Sequence, residues 1–225
     1  MNSIVSLNNE GTAFLRAKNF DAAIHTFTLA IHRLRYVQEE EEGNEGIPSH
    51  SENEAPSVLP SHEISTFDVH EFVSEAGDTI FNRAFSLVDR NRLTHWPTTQ
   101  MDGHYCVTTL LLNLALSYHL RSIAVRSESR FRDRKRAKRL YEAGVKAFFF
   151  MVGSSPQSYI HSSIHRLLAV LVNNLGCIAV EEYDYYMVER CIEWAQVENI
   201  PNNTPSLFLN HLAWYTFMSN PAPAA

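Results

Sequence analysis

The stretch LNNEG, Leu7 to Gly11, returns as VNNLG, Val172 to Gly176, and the two glycines share a register that continues without a gap. Phe20 falls on Tyr185, Ala23 on Val188, Phe27 on Ile192 and Ala30 on Ala195. An internal repeat constrains a chain more than its composition does, because each copy must be a unit that buries its apolar face against the next. The repeated letters are also costly ones. Asparagine amides compete with the helix backbone for hydrogen bonds, and glycine costs roughly 1 kcal/mol more than alanine inside a helix.

Around the first glycine, Leu7, Gly11, Phe14 and Leu15 form one helical stripe, and Ala23, Ile24, Phe27, Ala30, Ile31 and Leu34 form another. Lys18, Asn19 and Phe20 separate them as a short polar turn with an aromatic plug, so two antiparallel helices are expected. A copy with the same order starts at Val172. A further copy sits between the two, with Leu111, Leu114, Ala115 and Tyr118 on its first helix and Ala137, Leu140, Tyr141, Gly144 and Val145 on its second. Tyr118 to Ala137 spans 19 positions where Phe14 to Ala23 spans nine, so ten extra residues, SESRFRD among them, are expected to lengthen that turn. Leu209, Leu212, Ala213, Trp214 and Phe217 make a partial copy, read as a capping helix over the last apolar face.

These units resemble the tetratricopeptide repeat (TPR) family, whose 34-residue unit places small residues at its eighth, twentieth and twenty-seventh positions with aromatics between them. Gly11, Ala23 and Ala30 fit the small sites, and Phe14, Phe20 and Phe27 the aromatic ones. The last full copy keeps Gly176 and Ala195 but has the bulkier Val188 and Ile192, and the middle copy is degenerate. The resemblance implies an all-α, right-handed helix-pair solenoid with a C-terminal capping helix. The expected units are 1–37, 105–150 with the extended turn, 156–200, and a cap and tail over 205–225.

The resemblance does not reach the middle of the chain. Glu39 to His62 is acidic, rich in serine and proline and nearly free of large apolar residues, so 38–63 is expected as a disordered loop. Hydrophobicity recovers from Ile64 to Val88. There Ile80, Ala84, Leu87 and Val88 suit a helix, while two β-rich runs around Glu75, Ala76 and Gly77 suit a short β-hairpin. Extended segments packed on the array are the expectation for the insert 64–104.

The TPR resemblance also says where function belongs. In that family the first helix of each pair lines a concave groove, and its fifth and sixth positions face it. Here those positions hold Asn8 and Asn9, Leu112 and Asn113, Asn173 and Asn174, then Asn210 and His211. An amide offers donors and an acceptor to a peptide backbone without reading its side chains. Thr12, Leu116, Val170 and Trp214, with Val5 and Leu112, would complete a peptide-binding groove. The alternative is that the amides bond to one another or to the insert. Members of the family that bind a chaperone's C-terminal tail grip its carboxylate with cations beside asparagine. The matching sites here, Asn8, Thr12, Asn113, Val170 and Asn174, supply no cation, so such a tail is not the expected partner.

RFRDRKRAKR, Arg130 to Arg139, holds seven basic residues and one acid. On a helix, Arg132, Lys135, Arg136 and Arg139 share one face and Ala137, Leu140, Tyr141 and Gly144 the other. Three readings stay open for this basic surface patch: a solvated face, a nuclear-import signal or anionic contact, or a patch screened by the chain's own Glu39 to Glu42. The formal charge of −6 and the single nearby aromatic, Phe131, argue against nucleic acid.

Other chemistries find little support. His161 and His165 are four apart, but no third ligand lies at a motif spacing, and HEIST and HEFVS lack the second histidine of HExxH. Cys106 stands two residues from His104, which places the pair on different faces of a helix. No phosphate loop or GxSxG elbow occurs, so neither catalysis nor a metal or other cofactor is expected. The start lacks a secretory signal, the longest apolar runs are too short for a membrane span, and three unpaired-looking cysteines suit a reducing compartment. The chain reads as a cytoplasmic protein, or a nuclear one if the basic run is an import signal. Its expected role is a non-catalytic adaptor that binds an unidentified protein or peptide segment in the concave groove. The alternative is a structural or regulatory array whose groove is filled by its own insert and whose basic outer face makes contacts.

Overall fold

The computed structural model describes the backbone of residues 3–43, 66–67, 84–85, 100–125, 128–153 and 162–197, and side chains within 3–36, 105–125, 128–150 and 167–195. Among these residues six helices form three consecutive pairs: α1 (Ile4–Arg16) with α2 (Phe20–Gly43), α3 (Gln100–Ala124) with α4 (Ser129–Gly153), and α5 (Ser162–Glu181) with α6 (Tyr185–Val197). Each helix packs on the next, and α2 meets α3 directly although the insert separates them in sequence; α3 also touches α1 and α5. The described part of the chain is thus all-α, apart from two short strands. These are β1 (Thr66–Phe67) and β2 (Ala84–Phe85), antiparallel with Thr66 opposite Phe85 and Phe67 opposite Ala84.

Local chemistry sets the helix ends. Ser3 caps α1, its Oγ accepting from the Ser6 N–H at 3.1 Å. The α1–α2 turn then closes with Ala17 N–H on Ala13 O, Lys18 N–H on Leu15 O and Asn19 N–H on Phe14 O. The α5–α6 turn repeats those bonds 165 positions later, from Glu182 to Ile178, Tyr183 to Val180 and Asp184 to Ala179. Lys18 and Tyr183 are the left-handed residues that reverse the chain, with φ of 60° and 56°. Asn19 and Asp184 next cap the second helices, accepting at Oδ1 from Ala22 N–H (3.3 Å) and Met187 N–H (3.1 Å). The sequence repeat is a repeat of backbone geometry.

Packing explains the glycine. A Cβ on Gly11 would lie 2.6 Å from Cε1 of Phe27, so α1 and α2 can approach this closely only without one. The aromatic at the facing site, Phe27, is fully buried. In the middle pair Gly144 plays a related part against Leu171 of α5, at 2.8 Å from Cδ2. Two apolar cores result. One holds Ile4, Leu7, Leu15, Phe27 and Leu34 with Cys106, Leu110, Leu114, Leu116 and Leu120; the other holds Leu112, Ala115, Tyr141, Phe148 and the inner faces of α5 and α6. Helix α3 supplies residues to both, and Tyr105, Tyr118 and Leu140 touch both, so it is the wall the two cores share.

Three boundaries differ from the sequence expectation. The ten extra residues of the middle repeat do not form a long turn: α3 and α4 are 25 residues each, and α4 begins at Ser129 inside SESRFRD. The polar start of α4 is held in helix by tertiary ion pairs, Asp133 with Arg121 of α3 and Arg134 with Glu181 of α5. Helix α3 starts at Gln100, so the expected insert boundary at 104 falls within it. Helix α2 continues to Gly43, so the first six residues of the expected acidic loop are helical. The rest of that loop and the expected cap over 205–225 lie outside the described residues.

Candidate functional site

The asparagines come together at the junctions between helix pairs. Asn113 donates from Nδ2 to Asn8 Oδ1 at 2.9 Å, joining α3 to α1 across 105 positions of sequence. Asn174 donates to the Tyr141 hydroxyl of α4 at 3.3 Å and accepts from Asn173 Nδ2 at 3.0 Å. Asn8, Asn113 and Asn174 have no exposed surface, whereas Asn9 is exposed and Asn173 half-buried. Thr12 and Ser117 tuck their hydroxyls onto the carbonyls of Asn8 and Asn113, one turn back, at 2.9 and 2.8 Å.

The fifth and sixth positions therefore look along the stack. The sixth, Asn113 or Asn174, bonds to the preceding pair; the fifth, Asn8 or Leu112, meets the following one. Of the residues expected to line an open groove, Asn8, Thr12, Leu112, Asn113, Leu116, Val170 and Asn174 are all buried, so they do not present an open lining in this structure. The reason is geometric: the first helices contact one another, and these side chains fill the contact. A peptide would reach them only if that contact opened. Asn210 and Trp214 lie outside the described residues.

Beside the amides sits a group that the repeat pattern did not single out. His119 is completely buried, edge-on to Tyr141 with ring centroids 5.9 Å apart, and its Nδ1 is a long 3.4 Å from the Tyr141 hydroxyl. That hydroxyl also accepts from Asn174 Nδ2. Nε2 has no partner among the described residues. Burial first, and the Arg134 charge second, pull His119 down to about 3, so it is neutral at physiological pH. Desolvation likewise pushes the Tyr141 hydroxyl far above its ordinary range. The chain His119, Tyr141, Asn174, Asn173 is a buried polar seam linking α3, α4 and α5.

The basic run on α4 divides into two faces. Arg132, Lys135, Arg136 and Arg139 are exposed, as the helical spacing implied, with Phe131 at 74% exposure next to them. The other polar residues turn inward. Asp133, buried, receives two bonds from Arg121 of α3, Nε to Oδ2 at 2.8 Å and Nη2 to Oδ1 at 2.7 Å, and Arg121 also pairs with Asp21 of α2. Asp133 leads in holding the Arg121 charge on more firmly than usual. Arg134 pairs with Glu181 at 2.7 Å, and Lys138 with Glu182 and Asp184 at 2.6 and 2.9 Å, which ties α4 to the α5–α6 turn. Burial by itself would lower the Lys138 value, but the two carboxylates raise it, and Lys138 in turn lowers Asp184. A lone acid inside a basic run was the signal available in the sequence for this inward face.

Cys106 and Cys191 are buried, Cys177 half-buried, and none is in a disulfide. Burial pushes the Cys106 thiol well above its ordinary range, which works against its use as a nucleophile. Among the described residues no three His, Cys, Asp or Glu side chains gather as a metal-binding group; His161 and the side chains of His104 and His165 lie outside them. No described helix is long and apolar enough to cross a membrane.

No family model, curated protein or solved structure matches this chain.

Proposed function

We propose that the protein is a non-catalytic interaction scaffold: a TPR-like array of three helix pairs whose inner face is held by its own insert, so that partners are met from outside. The observation that carries this reading is the placement of β2, which packs on both α1 and α3, the two first helices next to each other in the stack. Those are the helices whose groove positions are already buried and cross-bonded through Asn8 and Asn113. On this reading the segment carrying β2 takes the course a groove-bound peptide would take. A peptide-gripping adaptor would need the insert to leave.

The test is replacement of 64–88 by a flexible Gly-Ser linker. On the present reading the shortened chain loses helicity and melts earlier, because β2 no longer covers α1 and α3. Unchanged circular dichroism and melting temperature would overturn it and return the groove to an incoming peptide. Reduced, largely buried cysteines support placing the protein in the cytoplasm, with access to the nucleus left to the basic run.

A further inference from the structure

The outer face of α4 concentrates positive charge in a chain whose formal net charge is −6. Arg132, Lys135, Arg136 and Arg139 lie at i, i+3, i+4 and i+7, one stripe about 10 Å long on a helix rising about 1.5 Å per residue. The stripe begins in the first turn of α4, which holds no acid to offset the positive end of the helix dipole. Like charges three and four apart repel. None of the four has an acid within ion-pair distance among the described residues; Arg136 instead lies over the Tyr118 ring at 5.5 Å, a ring that Arg121 also meets at 5.3 Å. The contrast is with Arg121, Arg134 and Lys138, each engaged by carboxylates on the inner side. Among the described residues, the inner cations are paired with carboxylates and the four cations of the outer stripe are not.

The helical positions of Glu39 to Glu42 are displaced from that stripe along the helix axes. Arg121 near the end of α3 bridges Asp21 at the start of α2 and Asp133 near the start of α4, so α2 and α4 run the same way from a common level. Glu39 lies 18 residues along α2, about 27 Å of helix, whereas Arg139 lies six residues, about 9 Å, past Asp133. The gap of about 18 Å along the axis is roughly twice the screening length in physiological salt.

We infer that this face, with Phe131 beside it, is the docking surface for an acidic polypeptide segment. Carboxylates spaced three and four apart on a helix match the stripe in pitch and length. A nucleic acid is the poorer fit, because a long polyanion also meets the negative field of the rest of the chain and finds one exposed aromatic rather than a stacking platform. The inference rests on the scaffold reading only for the idea that partners dock outside the array.

The test uses the full chain and a short fluorescein-labelled alanine–glutamate peptide with glutamates at i, i+3, i+4 and i+7, with fluorescence anisotropy read at two salt concentrations. Binding is expected, weaker at higher salt, and reduced about tenfold or more when Arg132, Lys135, Arg136 and Arg139 are all changed to Glu, with Lys146→Glu as the exposed control that leaves it unchanged. A set changed to Gln replaces the Glu set if charge reversal prevents folding. Equal binding by wild type and variants would overturn the inference. So would an oligothymidylate of equal charge, or phosphatidylserine vesicles, outcompeting the peptide at this face, or self-association that the substitutions abolish. The insert replacement is read by helicity and these variants by anisotropy with the insert in place, so either reading can fail alone.

Discussion

Acidification from about pH 7 to about pH 5 should weaken the fold through His119, by an amount the structure sets. The native ring is held near 3, against 6.5 for a free histidine, because it is wholly buried and lies near the Arg134 charge. A value lowered by folding means that the native state refuses a proton the unfolded chain accepts. Stability is therefore intact above 6.5 and falls as pH drops from there toward 3. Linkage gives about 1.4 kcal/mol per pH unit in that window, so pH 5, one and a half units below 6.5, costs about 2 kcal/mol. That is a large share of a stability of about 5–15 kcal/mol. Asp184, which Lys138 holds below its ordinary value, loses its contribution only further down, as pH falls below the usual carboxylate range. The measurement is urea unfolding at the two pH values for the wild type and for His119→Gln. The variant is less stable at both but should lose about 2 kcal/mol less on acidification. Equal losses in the two proteins, or a His119 resonance titrating near 6.5, would refute the reasoning.

The packing makes three further outcomes testable. Gly11→Ala forces a methyl against a ring with nowhere to go, 2.6 Å from Phe27 Cε1, and should cost about 1–3 kcal/mol, while Gly144→Ala meets the rotatable tip of Leu171 and should cost less; thermal melts of the two variants give the order. Lys18→Gly and Tyr183→Gly each relieve a side chain at φ near 60° and should raise stability by about 0.5–1 kcal/mol, read from the denaturation midpoint; a fall at both sites would contradict the left-handed turn. Asn8→Ala and Asn113→Ala should each cost about 1–3 kcal/mol by breaking the bond between the two buried amides, and the double variant should cost less than their sum; strict additivity in a double-mutant cycle would remove the bond between them.

The helix pairs could be read from the sequence because one contact dictates several letters. Gly11 must be small where Phe27 crosses, Asn19 must cap the second helix of its pair, and both recur with their spacing at Gly176 and Asp184. The middle pair could not be read so well. Its SESRFRD stretch has the polarity of a loop, and what makes most of it helix is tertiary: Asp133 reaches back to Arg121, and Lys138 reaches forward to the α5–α6 turn. Pairings 12 and 44 positions apart leave no periodic trace. His119 was hidden for the same reason, since its burial depends on Tyr141, 22 positions away on another helix.

The twin asparagines show where a repeat pattern stops being informative. LNNEG and VNNLG are alike in sequence, yet the first buries its leading amide and the second its trailing one. In the described pairs Asn113 and Asn174, at the sixth position, meet the preceding pair, and Asn8 and Leu112, at the fifth, meet the following one. The opening helix has no predecessor among the described pairs, so Asn9 is exposed and Asn8 accepts from α3; α5 has a predecessor, so Asn174 is buried against α4 while Asn173 stays half-open. Identical letters thus do different work according to place in the array. The more open amide in each copy thus follows from its place relative to the described neighbouring pair, and by itself it carries no claim to a ligand. The outer stripe of α4, whose four cations meet no carboxylate among the described residues, is the feature that the proposed docking of an acidic segment rests on.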